Sequence, residues 1–363
     1  MGLTAGIVGL PNVGKSTLFN AITKSNVLAA NYPFATIDPN VGIVEVRDER
    51  LERIVEAVKP KNVVRASFSF TDIAGLVKGA SQGEGLGNQF LAHIREVDCI
   101  CQVVRCFDDP DVIHVSGKVD PIADIETINL ELMLADLDVI NKRIPKIEKK
   151  AQLKTEPGAE EEYAVLMKIK TELEKGNRIF NLAPEEAALV KQYNFLTLKP
   201  MIYVCNVSET DVSEENKYVR EVKRFASAEG SSTVVISAKI EAELAELDDE
   251  SRKLFLEELG ISESGLDKLT KAAYDLLGLA TFFTAGEKEA RAWTFRKGMK
   301  APECAGIIHS DFERGFIRAE VTSYEDFIKY GSLQKAKEAG RMRSEGRDYV
   351  FQDGDIVYFR FNV

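Results

Sequence analysis

Residues 9–16 read Gly-Leu-Pro-Asn-Val-Gly-Lys-Ser, which fits G-x-x-x-x-G-K-[ST] with Gly9, Gly14, Lys15 and Ser16 in the required places. This spacing commits the chain to a phosphate-binding loop between a strand and a helix. Glycines let successive backbone N–H groups turn inward around a phosphate. The lysine reaches the β- and γ-phosphates, and the Ser16 hydroxyl ligates Mg²⁺. The flanks agree with the motif. Ala5-Gly6-Ile7-Val8 is an apolar run suited to a buried strand, and Ser16 to Ile22 opens a helix whose N-terminus faces the anion. Asn12, Val13, Gly14, Lys15, Ser16 and Thr17 are the phosphate-side candidates.

A phosphate loop requires further parts. Val64 to Phe70 alternates as a strand and runs into Thr71-Asp72-Ile73-Ala74-Gly75. Asp72, at a strand end, is the expected acidic partner of Mg²⁺, usually through water, and the Gly75 amide can meet the γ-phosphate. The glycine-dense stretch from Gly79 to Asn88 follows, as expected of a segment that reorders around that phosphate. Between loop and strand lies Asn31-Tyr32-Pro33-Phe34-Ala35-Thr36, whose Thr36 hydroxyl is the candidate second side-chain ligand for Mg²⁺.

The base-reading position is unusual. Met201 to Cys205 reads as a strand ending in Asn206-Val207-Ser208-Glu209, where a guanine-reading protein carries N-K-x-D. The lysine that packs on the ring is replaced by Val207. The aspartate that pairs with guanine is replaced by Glu209, one methylene longer. A site built to hydrogen-bond a group discriminates strongly, so losing that arrangement relaxes or reverses guanine preference. ATP is therefore expected over GTP, with GTP bound weakly. The strand Thr233 to Ile236, followed by Ser237-Ala238-Lys239, completes the base pocket, with backbone amides expected near the ring.

Together with Gly85-Leu-Gly-Asn-Gln-Phe-Leu-Ala-His-Ile-Arg95, these motifs resemble the YchF family of Obg-like ATPases over essentially the whole chain. The N-x-x-E motif separates that family from its Obg relatives. The resemblance implies adenine preference on a GTPase-like fold, membership of the translation-factor class and association with ribosomes. In Ras-like proteins a glutamine after D-x-x-G orients the attacking water, but Leu76 stands here and cannot hydrogen-bond. The resemblance implies K⁺ beside the phosphate loop, with Asn12 at its ligand position. It also implies His114, in Asp111-Val112-Ile113-His114, as a catalytic residue that positions water or donates to developing phosphate charge. His93, among Phe90, Leu91 and Ile94, reads as a packing residue, and His309 belongs to another domain. Three histidines so spaced make no transition-metal site.

At 363 residues the chain accommodates two or three domains. No apolar run approaches the length of a membrane span, and five cysteines without C-x-x-C spacing suit a reducing compartment. A cytoplasmic monomer is expected. The net charge of −11 argues against binding nucleic acid through the overall field. Lys142, Arg143, Lys146, Lys149, Lys150 and Lys154 nevertheless concentrate positive charge and are a candidate RNA-facing stretch.

The expected architecture is α/β: a P-loop NTPase domain with a mostly parallel sheet, residues 1–127 and 197–278, interrupted by a helical insertion at 128–196. Leu130, Met133, Leu137, Ile140, Ile144 and Ile147 step by three and four, and Leu166, Ile169 and Leu173 form a second stripe ending at Gly176. That pattern predicts an antiparallel coiled-coil hairpin, thinned at Pro145. Residues 279–363 form a separate α+β unit with strands at Thr281–Thr284, Arg291–Phe295 and Ile356–Phe361. Around Pro302 to Asp311 this unit resembles the TGS domain, a ubiquitin-like β-grasp module, which implies RNA or protein binding. Trp293 reads as a core residue. Three functional readings stay open: a ribosome-associated ATPase regulating translation or stress responses, an ATP-occupancy sensor with negligible turnover, and a guanine-specific switch.

Overall fold

A computed structural model describes residues 3–24, 40–73, 86–112, 117–179 and 182–362. The chain opens with β1 (Thr4–Gly9), α1 (Lys15–Lys24), β2 (Val41–Val46), α2 (Glu49–Val58), β3 (Asn62–Val64) and β4 (Ala66–Asp72). Next come α3 (Leu86–Glu96), β5 (Cys99–Arg105), α4 (Pro121–Leu153), α5 (Ala159–Glu174) and α6 (Pro184–Val190). The nucleotide-side fold closes with β6 (Met201–Asn206), α7 (Lys217–Glu229), β7 (Ser232–Ile236), α8 (Ala238–Leu244), α9 (Asp249–Glu258) and α10 (Gly265–Leu276). The C-terminal part holds β8 (Leu279–Ala285), β9 (Glu289–Arg296), α11 (Ala301–Ile308), α12 (Ser310–Arg314) and β10 (Phe316–Thr322). It finishes with α13 (Tyr324–Tyr330), α14 (Leu333–Glu338), β11 (Arg343–Glu345) and β12 (Ile356–Phe361).

Two compact units result, Met1–Ile43 with Ser69–Ala272 and Val44–Phe68 with Ala273–Val363. The first is built on a sheet of order β2-β4-β1-β5-β6-β7, in which β1–β4, β1–β5, β5–β6 and β6–β7 run parallel. Parallel central strands are covered on both faces and so read as continuous apolar runs. β5 and β6 are buried along their whole length. One face packs Val8, Ile100, Val104 and Tyr203 against Phe90 and Ile94 of α3, Ile125 and Ile128 of α4 and Val222 of α7. The C-terminal ends of these strands carry the loops that bind ligand in folds of this kind.

The helix α4 does two jobs. Asp120 caps it, accepting from the Ala123 N–H at 3.2 Å, and Pro121 stands in its first turn, where a missing N–H costs nothing. Its first half covers the sheet. Its second half packs Ile140, Ile147 and Ala151 against Val165, Leu166, Ile169 and Leu173 of α5. Residue 128, the expected start of the helical insertion, therefore falls inside a longer helix, and α4 continues through Pro145 to Leu153. Buried Asp136 pins the return to β6, accepting from Leu196 N–H (3.0 Å), Thr197 N–H (2.8 Å) and the Thr197 hydroxyl (2.7 Å).

The second unit has a sheet of order β11-β10-β12-β8-β9-β3 over an aromatic core of Phe282, Phe295, Phe316, Phe351 and Phe359. β3 pairs parallel with β9, Asn62 opposite Glu289. Thus residues 44–68, which the sequence places in the nucleotide domain, group with the C-terminal unit, α2 and β3 whole and β2 and β4 by one end each. Arg50 of α2 is the fastening. It bonds its neighbour Asp48 and reaches Asp353 through both guanidinium nitrogens, at 2.9 and 3.1 Å. Trp293 is half-buried rather than central, stacked near Phe282 with its indole N–H donating to Thr284 Oγ1 at 3.0 Å.

Candidate nucleotide-binding site

The phosphate loop leaves the C-terminal end of β1 with Asn12 at φ 63° and Gly14 at φ 95°. Alternating backbone hands of this kind turn successive N–H groups toward one point, an anion-binding concavity. Gly14 is required for space as well as for hand. A Cβ there would come to 2.1 Å from Asn206 Nδ2. Val13 is buried, whereas Ser16 and Thr17 are exposed in the first turn of α1, where their hydroxyls are open to a ligand.

Asn206 holds the loop in place. Its Nδ2 donates to the Val13 carbonyl at 2.8 Å, and its Oδ1 accepts from the Ala238 N–H at 2.9 Å. One buried side chain at the end of β6 therefore ties the phosphate loop to the β7–α8 turn. The backbone continues the tie: Cys106 N–H donates to Asn206 O and Val207 N–H to Ile236 O, both at 2.8 Å. Val207 is buried in the core cluster beside Val8 and Cys205. Glu209 lies in a short 3₁₀ turn, half-exposed, with its carboxylate 3.7 Å from Lys239 Nζ. The buried Ser237 hydroxyl has no hydrogen-bond partner among the described residues.

The charged pair of the site is Lys15 and Asp72, which bond directly through Nζ and Oδ1. Asp72 is set at the end of β4, where its N–H donates to Asn40 O at 2.8 Å. Its register opposite Ile7 of β1 brings it level with the root of the phosphate loop.

Sequence reading missed Arg105. This residue closes β5, is fully buried, and donates to three carbonyls: Phe107 (3.1 Å), Val112 (2.8 Å) and Asp109 (3.1 Å). It fixes the loop that leaves the sheet toward residue 114. A lone arginine ending the otherwise uncharged run Cys99–Val104 was the available signal.

A family model described as "50S ribosome-binding GTPase" matches residues 4–142, and the YchF GTPase C-terminal model, described as "Protein of unknown function", matches 279–362. A Bacillus subtilis protein named "Ribosome-binding ATPase YchF" is 61% identical over all of both chains. An Escherichia coli O157:H7 protein of the same name is 54% identical, again over all of both. The chain belongs to the YchF family. The solved Schizosaccharomyces pombe YchF GTPase superposes with a TM-score of 0.89 at 41% identity, covering 99% of this chain and 97% of that one. The fold is accordingly that of a P-loop GTPase-like α/β protein with a C-terminal domain.

Within this YchF chain the anticipated site residues divide by role. Gly14, Lys15, Ser16, Thr17 and Asp72 gather at the C-terminal ends of β1 and β4. Asn206 and the Ala238 amide, anticipated at the base, are engaged with each other and with Val13. Of Asn206, Val207 and Glu209, only Glu209 keeps an accessible polar group, next to Lys239. Thr36, Gly75 and His114 lie outside the described residues. His93 is exposed rather than packed. Among the described residues no cluster of metal-ligating side chains is present, and no helix is long and apolar enough to cross a membrane.

The basic stretch of α4 is largely neutralised. Lys142 pairs with Asp138 (2.6 Å), Arg143 with Glu162 (3.0 Å) and Lys154 with Glu160 (3.4 Å), and Lys150 pairs with Glu156. Only Lys146 and Lys149 lack a carboxylate partner among the described residues.

Proposed function

We infer that this protein binds and hydrolyses ATP, in preference to GTP, as a ribosome-associated factor of the cytoplasm that acts in translation or stress control. The observation that carries the reading is Asn206. Because its amide is spent on Val13 and Ala238, base choice falls to the residues beyond it. There an accessible Glu209 stands where guanine readers hold aspartate, and a core Val207 stands where they hold lysine. Guanine and adenine both offer donors to a carboxylate, so the preference rests on reach: Glu209 is one methylene longer than the aspartate that pairs with guanine, and Val207 supplies no lysine stem to pack on the ring. The full-length relatives named ribosome-binding ATPases support the same assignment.

Inward-turned amides from Asn12 to Thr17 bind the β-phosphate, and Lys15 moves from Asp72 to the phosphates. The Ser16 hydroxyl and the Asp72 carboxylate are hard oxygen donors of the kind Mg²⁺ takes, and Thr36 completes the set. The ion, when bound, neutralises charge on the β- and γ-oxygens. Gly75 meets the γ-phosphate, and Asn12 offers an oxygen to K⁺. Leu76 leaves water positioning to another group, His114, which Arg105 serves by fixing the preceding loop. The α4–α5 pair is a coiled-coil arm, and residues 279–363 are a TGS-type β-grasp domain. Both are candidate ribosome contacts of a monomeric protein.

Single-turnover ATP hydrolysis with and without 70S ribosomes tests this. Stimulation is expected. An unchanged, negligible rate would favour the occupancy-sensor reading, which Leu76 alone supports.

A further inference from the structure

We propose that residues 193–199 are a bracket that couples the nucleotide site to the helical arm, so that ATP bound at the phosphate loop changes the mobility of α4 and α5 beyond Asp136. This rests on the nucleotide reading above and adds a regulation to it. The input is α3, the element that follows β4 and Asp72 in the chain. It opens with Leu86-Gly87-Asn88, the end of the glycine-dense stretch expected to answer to the γ-phosphate.

The far end of α3 is bonded to the bracket. A helix leaves its last carbonyls without partners, and here the chain returning from the arm supplies them. Lys199 Nζ donates to Arg95 O at 3.0 Å and to Val97 O at 2.6 Å, a cation at the negative end of the helix. Arg95 and Asn194 exchange bonds. The guanidinium donates to Asn194 O at 3.1 Å, and the Asn194 amide returns one to Arg95 O at 2.8 Å. Asn194 holds left-handed backbone at φ 47°, which asparagine adopts more readily than most residues.

The other side of the bracket grips the arm. Asp136, which takes the Leu196 and Thr197 amides and the Thr197 hydroxyl, sits where α4 leaves the sheet: Leu132 and Ala135 belong to the sheet's core, Ile140 to the arm's. Tyr193 donates its hydroxyl to Glu162 of α5, which also accepts from Arg143 of α4 at 3.0 Å, and Phe195 is buried in the arm's core. One short stretch is thus bonded to α3 on one side and to both arm helices on the other. A displacement of α3 must either break these bonds or carry the root of the arm with it. Coupling of this kind is reciprocal, so a partner that fixes the arm alters ATP affinity by the same factor.

Amide hydrogen exchange of the full-length protein, nucleotide-free and saturated with a non-hydrolysable ATP analogue in Mg²⁺, tests this. In wild type, exchange across residues 137–174 should change by about fivefold or more on binding, the low end of ordinary coupling between sites. Asn194→Gly/Lys199→Met keeps the left-handed backbone and the half-buried stem while removing the amide and the ammonium. In that variant the analogue should still alter exchange in α3 but no longer in 137–174, a separation that mere loss of stability would not produce. Should the double variant fail to fold, Arg95→Met removes one bond from a partly exposed side chain and is expected to reduce the arm's response. No change across 137–174 in wild type, or the same change in wild type and variant, would overturn the proposal. Calorimetry of the analogue runs alongside. Binding without an arm response overturns this proposal alone, whereas no binding overturns the nucleotide reading and this proposal with it.

Discussion

The Asn206 amide bonds the Val13 carbonyl at 2.8 Å across 193 positions of sequence, while its oxygen holds the Ala238 N–H. One buried side chain thereby sets the distance between the phosphate half of the site and the base half. Asn206→Ala removes both bonds and strands a buried carbonyl and a buried amide, each costing about 1–3 kcal/mol. Affinity for ATP and GTP is expected to fall together, tenfold or more, with their ratio unchanged, as measured by calorimetry. A changed ratio would instead place Asn206 on the base.

Gly14→Ala strikes the same contact from the other side. The new methyl would meet Asn206 Nδ2 at 2.1 Å, on backbone at φ 95° that L-residues rarely adopt. Nucleotide binding should be lost, with the midpoint of thermal unfolding lowered by several degrees, an effect of about 2 kcal/mol or more.

Lys15 and Asp72 hold each other through a direct ion pair, which the proposed binding of Mg²⁺ and phosphate would have to part. Asp72→Asn should leave ATP affinity in EDTA equal or higher, because Lys15 is released, while abolishing the gain that Mg²⁺ gives wild type. Titration of ATP with and without Mg²⁺ checks both halves.

Glu241 offers a pH test. It is buried in α8 and accepts from Gly265 N–H at 2.8 Å, at the N-terminus of α10. Burial pushes its carboxyl up from 4.5 to about 7, against the pull of the Gly265 amide. A folded-state value above the unfolded one means that the neutral form stabilises the fold. That stability is complete below about pH 4.5 and is lost as pH rises through about 7. Glu241→Gln keeps the acceptor and removes the titration. Denaturant unfolding should show wild type losing up to about 3 kcal/mol relative to the variant between pH 4.5 and 7.

Arg50 joins Asp48 and Asp353 within the second unit, partly exposed to water. Arg50→Ala should cost about 1 kcal/mol. A fragment of residues 279–363 alone lacks α2 and β3 and leaves one edge of β9 unpaired. It is expected to be less stable than the same fragment fused to 44–68, as circular dichroism during heating would show.

Local features were readable and distant ones were not. The phosphate loop, Asp72 at a strand end and the closing strand Ile356–Phe361 each follow from a few adjacent residues, and the structure places them as the pattern implies. Asn206 was visible as a motif but not as a clamp, because its partners are Val13 and Ala238. The capture of residues 44–68 by the C-terminal unit depends on β3 meeting β9 more than 200 positions later, and three residues carry no periodicity that could announce it. The helical stripe holds from Met133 onward, but Leu130, expected to start it, is 51% exposed, and the helix begins at Pro121, because its first turns face the sheet and share its apolar character. The spent charge on the arm was equally invisible, since the neutralising Glu156, Glu160 and Glu162 come from the loop and α5.

Base preference is the central claim, and calorimetric titration with non-hydrolysable ATP and GTP analogues in Mg²⁺ tests it most directly, on wild type and Glu209→Ala. Wild type should bind the ATP analogue at least tenfold more tightly, and Glu209→Ala should narrow that difference while leaving the folded midpoint unchanged. A wild type that binds the GTP analogue more tightly would contradict the account and return the protein to the guanine switches.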